Sequence, residues 1–227
     1  MNLPITFDTQ VVRDIVKGIG KSNTYEKTVR KMIKLKLLRR LVEHFRRNKH
    51  YMMADMCVLS YWFMLRVPSE CLGMQRNGDH SRFEIALNNA VTLHLNKRKN
   101  SPWGSSLTRT CCCPRLGQFL CPHGVLAKYV PLRTGSQRLF TITYSYFLIL
   151  LRRALFELRV PDARKFGSHS FRRGCADDMR ESKAPLRDIL EAGGWRSGAF
   201  MLYMSREEVE KDAVAQIAID FSSDEED

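Results

Sequence analysis

No secretory signal is visible in the sequence. MNLPITFDTQ carries nothing like the hydrophobic region of a secretory signal, so export is not expected. It also has no long hydrophobic run. The most apolar stretch, LFTITYSYFLILL (139–151), is too short to cross a bilayer and stops at Arg152 and Arg153, which excludes a membrane partner by this route and reads as a buried helix. No internal repeat is evident. Acidic residues are scarce: 24 Asp and Glu face 37 Lys and Arg, a formal net charge of +13 with a pI near 9.7. A chain so unbalanced seeks a polyanion. Nucleic acid is the leading candidate, ahead of acidic membranes and acidic proteins.

What is present is ordinary globular material. The 227 residues are 44% hydrophobic and 27% charged, enough to bury the core of one sizeable domain and to leave a fragment of another. Residues 8–19 read as a short helix ended by Gly18 and Gly20, followed by a linker. In RKMIKLKLLRRLVEHFRRNK (30–49), Leu38, Leu41, Val42 and Phe45 recur at helical spacing. The opposite face holds Lys34, Arg39, Arg40, Arg46 and Arg47, serving either solvent or phosphate. A more apolar helix is predicted over 52–67, ended near Pro68. RFEIAL (82–87) and VTLHLN (91–96) are strands joined by Asn88-Asn89, and GSSLTRTC supplies a third. Further helices are expected over 139–158, from a cap at Ser168 or Ser170 to about 181, and over APLRDILEA, closed by Gly193 or Gly194. A last amphipathic helix (207–221) precedes an acidic, disordered SSDEED tail (222–227). The pattern is an α+β fold, mostly helical, with a small antiparallel three-stranded sheet.

The chemistry these residues suit is phosphodiester cleavage. Two guanidiniums can hold both non-bridging oxygens of a phosphate and stabilise its transition state, an acid can protonate the departing 5′ oxygen, and a tyrosine can hold the strand as an ester. Arginines that supply the electrostatics leave no catalytic need for a metal. The chain offers Arg66 in LRVPSE, Lys97 and Lys99 in the KRKN turn, His169 and Arg172 three residues apart in HSFRR, and Trp195 and Tyr203 in GGWRSGAFMLY. Together these blocks resemble the tyrosine recombinase (phage integrase) superfamily, and are most similar to eukaryotic mobile-element recombinases of the Crypton and DIRS kind.

The resemblance covers roughly residues 30–221 and implies a role for each matching position. Arg66 and Arg172 clamp the scissile phosphate, and His169 hydrogen-bonds it and assists proton transfer. Lys99, or failing that Lys97, is the general acid. Trp195 takes a position that is His in many relatives. Tyr203 is the nucleophile of a 3′-phosphotyrosyl link, and Glu70 resembles the acid that supports the first arginine. LRVPSE has one residue more between Arg66 and Glu70 than the commonest form, which is expected to displace Glu70. The implied domains are a remnant or last helix of an N-terminal core-binding domain with its linker (1–27), then a catalytic domain (28–221). The implied partner is double-stranded DNA, bound as a tetramer through the C-terminal helix, with packing in cis as the other use of that helix. The implied location is the nucleus. The alternative function is a non-catalytic DNA-binding protein derived from such an enzyme.

Seven cysteines in a basic chain expected to stay inside the cell point to thiols or a metal rather than disulfides. CCCPRLGQFLCPH brings Cys111, Cys113, Cys121 and His123 close in sequence, a donor set for a structural zinc, although neither pair has the commoner C-x-x-C spacing. Cys57, Cys71 and Cys175 read as core.

Overall fold

The structure, a computed structural model, describes residues 31–99 and 101–195. The helix expected at 8–19, Tyr203, the 207–221 helix and the acidic tail all lie outside the described residues.

The periodic pattern of the first basic segment becomes helix α1 (Leu35–Arg47), with Leu38, Leu41, Val42 and Phe45 buried as expected. Each such side chain contributes about 1.5–3 kcal/mol when fully removed from water. The basic face is partly spent inside the molecule. Lys34 pairs with Asp177 at 2.6 Å and Glu181 at 2.5 Å, which raises its pKa, and Arg40 donates to the Leu158 carbonyl at 2.7 Å. Arg46 lies 3.4 Å over the Phe119 ring. Arg39 and Arg47 remain exposed.

Helix α2 (Tyr51–Trp62) is buried along every residue from Met53 to Tyr61, as befits a helix apolar all round. It ends before the expected position 67, because Met64 turns the chain at φ +48° and the Leu65 N–H returns to the Ser60 carbonyl at 3.1 Å. Pro68 does not end this helix. It sits in the first turn of a separate π-helical turn (Val67–Cys71), where its missing N–H is tolerated.

Strands β1 (Ser81–Ile85), β2 (Ala90–Leu95) and β3 (Ser105–Thr110) form an antiparallel sheet in that order. Phe83, Leu93 and Leu107 align across it and are buried, while the partly exposed face pairs Thr92 with Thr108 at 2.9 Å and His94 with Ser106 at 2.8 Å. Three short helices follow: α3 (Cys113–Leu116), α4 (Pro122–Ala127) and α5 (Tyr129–Leu132). Helix α4 packs on α2 and on the sheet. The apolar run after 139 begins as buried non-helical chain through Leu139 and Phe140. Helix α6 (Tyr144–Glu157) starts only at Thr143, whose hydroxyl accepts the Tyr146 N–H at 3.2 Å.

A 3₁₀ turn (Ala163–Lys165) leads to helix α7 (His169–Glu181), which packs on α1 and α2. Ser168 occupies the cap position without a capping bond, and the Ser170 hydroxyl instead accepts the Gly167 N–H at 3.0 Å. Gly174 lets α7 approach the chain entering α1, since a Cβ there would lie 1.9 Å from the Ile33 carbonyl oxygen. Helix α8 (Leu186–Gly193) closes on Gly194 at φ +62°, the left-handed terminal position. The α+β class, largely helical with one three-stranded sheet, is as expected.

Candidate functional site

Arg66 stands in extended conformation between the end of α2 and the π turn. In that turn the Glu70 and Cys71 N–H groups both reach the Arg66 carbonyl, at 2.8 and 3.2 Å, and Leu72 bonds Val67 at 3.0 Å. The i→i+5 geometry absorbs the extra residue of LRVPSE. Glu70 is therefore not displaced: its carboxylate accepts the Arg66 backbone N–H at 2.9 Å and the Arg66 guanidinium at 2.7 Å.

Glu70 has a second cation. The Arg98 Nε donates to the same carboxylate oxygen at 3.3 Å, and both side chains are almost wholly buried. Burial alone would push the Glu70 carboxyl up, but the charge of Arg98, the Arg66 N–H and the charge of Arg66 hold it below the ordinary carboxylate value. The Arg98 Nη2 is buried with no hydrogen-bond partner among the described residues. Arg98 is the residue that sequence reasoning missed. Alternation from Val91, Leu93 and Leu95 points position 97 inward. The strand instead ends at Leu95, Asn96 turns out to bond the Asp79 carbonyl at 2.8 Å, and the phase slips by one. Arg98 then pairs with Ser101 across the tip, facing in, while Lys97 and Lys99 are both exposed. The one available signal was the arginine itself, between two lysines in a turn that follows a core strand.

Arg172 arrives from α7, 1% exposed. Its Nη1 donates to the Met64 carbonyl at 2.5 Å, two residues before Arg66, and its Nη2 donates to the Gly193 carbonyl at 2.7 Å. The Trp195 ring lies under the guanidinium, 4.9 Å from its carbon. Both glycines of GGW are explained here. Gly194 supplies the positive φ, and Gly193 makes room for the indole, since a Cβ there would fall 1.9 Å from the Trp195 ring. A Cβ on Gly194 would lie 3.1 Å from an Arg98 nitrogen, so the end of α8 also abuts Arg98.

The structure thus brings Arg66, Glu70, Arg98, Arg172 and Trp195 into one connected cluster. His169 opens α7, half-buried and on the same helical face as Arg172. Lys97 and Lys99 border the cluster from the exposed hairpin tip without entering it, and Tyr203 lies outside the described residues. A cleft of about 310 Å³ runs between the hairpin and the end of α8, with Arg98, Ser105, Glu191 and Trp195 among its lining. Clustered guanidiniums around one carboxylate can hold a tetrahedral oxyanion through several charge-assisted hydrogen bonds.

Away from this cluster, the sulfurs of Cys111, Cys113 and Cys121 lie within 4.8 Å of one another. His123, the fourth donor named from the sequence, does not join them at that distance. Cys57, Cys71 and Cys175 are buried thiols, as expected. No described helix is long and apolar enough to cross a membrane.

The fold is similar to that of a solved site-specific recombinase. Comparison with solved structures matches the crystal structure of the XerH site-specific recombinase bound to difH substrate in a pre-cleavage complex, with a TM-score of 0.58 and 14% identity. The match covers 84% of this chain and 56% of the XerH chain, so this chain spans little more than half the length of that recombinase. No protein-family model and no curated protein matches the sequence.

Proposed function

We propose that this chain cleaves and rejoins double-stranded DNA through a phosphotyrosine intermediate, as a recombinase of the tyrosine type. The observation that carries the reading is the convergence of Arg66 and Arg172 on one locus, from segments more than a hundred residues apart in sequence, within a recombinase fold. In this reading the two guanidiniums hold the non-bridging oxygens of the scissile phosphate. Arg98 stiffens the first of them through Glu70, and Trp195 supports the second from below. The Tyr203 phenol gives up its proton with the help of His169 and attacks phosphorus. The bond to the 5′ oxygen breaks, and that oxygen takes a proton from Lys99 or Lys97. Attack by a 5′ hydroxyl on the ester reverses the step and releases the tyrosine. Removing either clamping arginine costs roughly a hundredfold or more in rate.

The similarity of GGWRSGAFMLY and the KRKN turn to mobile-element recombinases favours integration or excision of such an element as the biological role, in the nucleus, by a tetramer whose C-terminal helix docks on a neighbouring subunit. The test is incubation with nicked suicide duplexes that trap the covalent complex. A DNA adduct resistant to SDS, absent from Tyr203→Phe, is expected. Tight, salt-sensitive binding with no adduct from the wild type would favour a non-catalytic DNA-binding descendant instead.

A further inference from the structure

We infer that Cys111, Cys113 and Cys121 bind a structural zinc ion, with His123 as the fourth ligand. The inference is independent of the DNA reading, because it concerns the far end of the sheet and none of its tests reads activity.

The three thiols come from two segments that the fold brings together. Cys111 and Cys113 follow directly on β3 and open α3, and Cys121 immediately precedes α4. Their sulfurs lie within 4.8 Å of one another, and those of Cys111 and Cys121 are 3.8 Å apart. A tetrahedral site with metal–sulfur bonds of about 2.3 Å sets its sulfurs about 3.8 Å from each other. That spacing is far too long for a disulfide, whose sulfurs are about 2.05 Å apart.

The backbone around the sulfurs is also arranged as for thiolates. The Cys112 N–H points at the Cys121 sulfur at 3.2 Å, and the Cys113 N–H points at the Cys111 sulfur at 3.4 Å. N–H donors of this kind stabilise sulfur carrying negative charge and orient it for a cation. Gly124 keeps the first turn of α4 close: a Cβ there would lie 2.5 Å from the Gln118 carbonyl oxygen and 3.1 Å from the Cys113 sulfur. His123 stands on that same turn, two residues beyond Cys121 and half-buried, and is the donor assigned to the open tetrahedral position. Three soft sulfurs and an imidazole select zinc among the common divalent cations.

The ion would tie the loop after β3 to the helix that packs on α2. Two further bonds mark the same seam: the Trp62 indole donates to the Leu120 carbonyl at 2.8 Å, and Arg109 donates to the Trp62 carbonyl at 2.7 Å. Trp62 ends α2, and Arg66 follows four residues later in the chain.

The full chain, purified under reducing conditions without added chelator, should carry about one equivalent of zinc by elemental mass spectrometry. Exchange for cobalt should give the intense near-ultraviolet thiolate charge-transfer band and the visible bands of a tetrahedral site. Wild-type protein that holds no zinc and develops neither set of bands overturns the proposal, and this readout needs no variant to fold. Cys111→Ser or Cys121→Ser, in protein shown folded by circular dichroism, should lose the metal, whereas Cys175→Ser should keep it. Retention of a full equivalent by folded Cys121→Ser also overturns the site. His123→Ala should weaken zinc retention at least about tenfold with Cys112→Ser unchanged. The reverse pattern overturns histidine as the fourth ligand.

Discussion

Glu70 carries two guanidiniums on one buried carboxylate, and its removal is the sharpest single-residue test. Glu70→Gln leaves Arg66 and Arg98 facing an uncharged amide in the interior, a loss of about 3–5 kcal/mol by analogy with other broken buried pairs. Urea denaturation at neutral pH measures it. The sign of the pH dependence follows from the lowered pKa. Between the folded value and the unfolded value near 4.5, the unfolded chain binds more protons, so stability rises with pH in that window. The Glu70 contribution is complete above the unfolded value and is lost as pH falls through the folded one. The Gln variant should show a correspondingly flatter acid limb in melting temperature against pH. Gly193→Ala tests the other side of the cluster. The added methyl would occupy the place of the Trp195 ring, with an expected cost of about 1–3 kcal/mol and a change in tryptophan emission as the indole leaves Arg172.

At the scale of elements, Thr143 sets where α6 begins, and Thr143→Ala should cost about 1 kcal/mol in thermal or chemical unfolding with little effect on DNA binding. This helix also shows what the sequence concealed. Its apolar run continues back to Leu139, and hydropathy cannot tell a buried irregular segment from a buried helix. Only the Thr143 cap divides them. The same limit placed the end of α2 too late: Phe63, Met64 and Leu65 are as apolar as the helix before them, and the turn depends on a positive φ at Met64 that no local residue type advertises. Where period and punctuation coincide, the reading was sound. The stripe of α1, the Asn88-Asn89 hairpin with Asn89 at φ +57°, and the glycine stop of α8 were all legible. Arg66, Arg172 and Trp195, named from their motif spacing, do come together in one cluster. Arg98 was not legible, because a one-residue slip after Leu95 decides which side chain of KRK turns inward, and that slip is fixed by the contact of Asn96 with the Gly78–Asp79 loop. The extra residue of LRVPSE was expected to displace Glu70, and the π turn instead keeps its carboxylate on Arg66.

For the whole molecule, the net charge of +13 predicts DNA affinity that falls steeply with salt. A footprint that neutralises about six phosphates loses roughly a thousandfold in affinity between about 50 and 200 mM salt, and a plot of log K against log salt concentration measures it. Arg39→Glu with Arg47→Glu, two exposed positions on α1, should shallow that slope if the helix faces the duplex, and leave the melting temperature nearly unchanged. Tyr203→Phe should keep the slope intact, since it removes no charge.

The guanidinium cluster has a thermodynamic corollary. Arg66, Arg98 and Arg172 against the single carboxylate of Glu70 give these four groups a net charge of +2, held in a largely dehydrated interior. A small multivalent oxyanion that settles there relieves self-repulsion in the native chain and gains nothing comparable in the denatured one. Pyrophosphate at a hundred times its dissociation constant would add about 2.7 kcal/mol to the unfolding free energy. Calorimetry should find the transition moved upward by pyrophosphate well beyond the effect of chloride at equal ionic strength, and Arg172→Ala should abolish the difference.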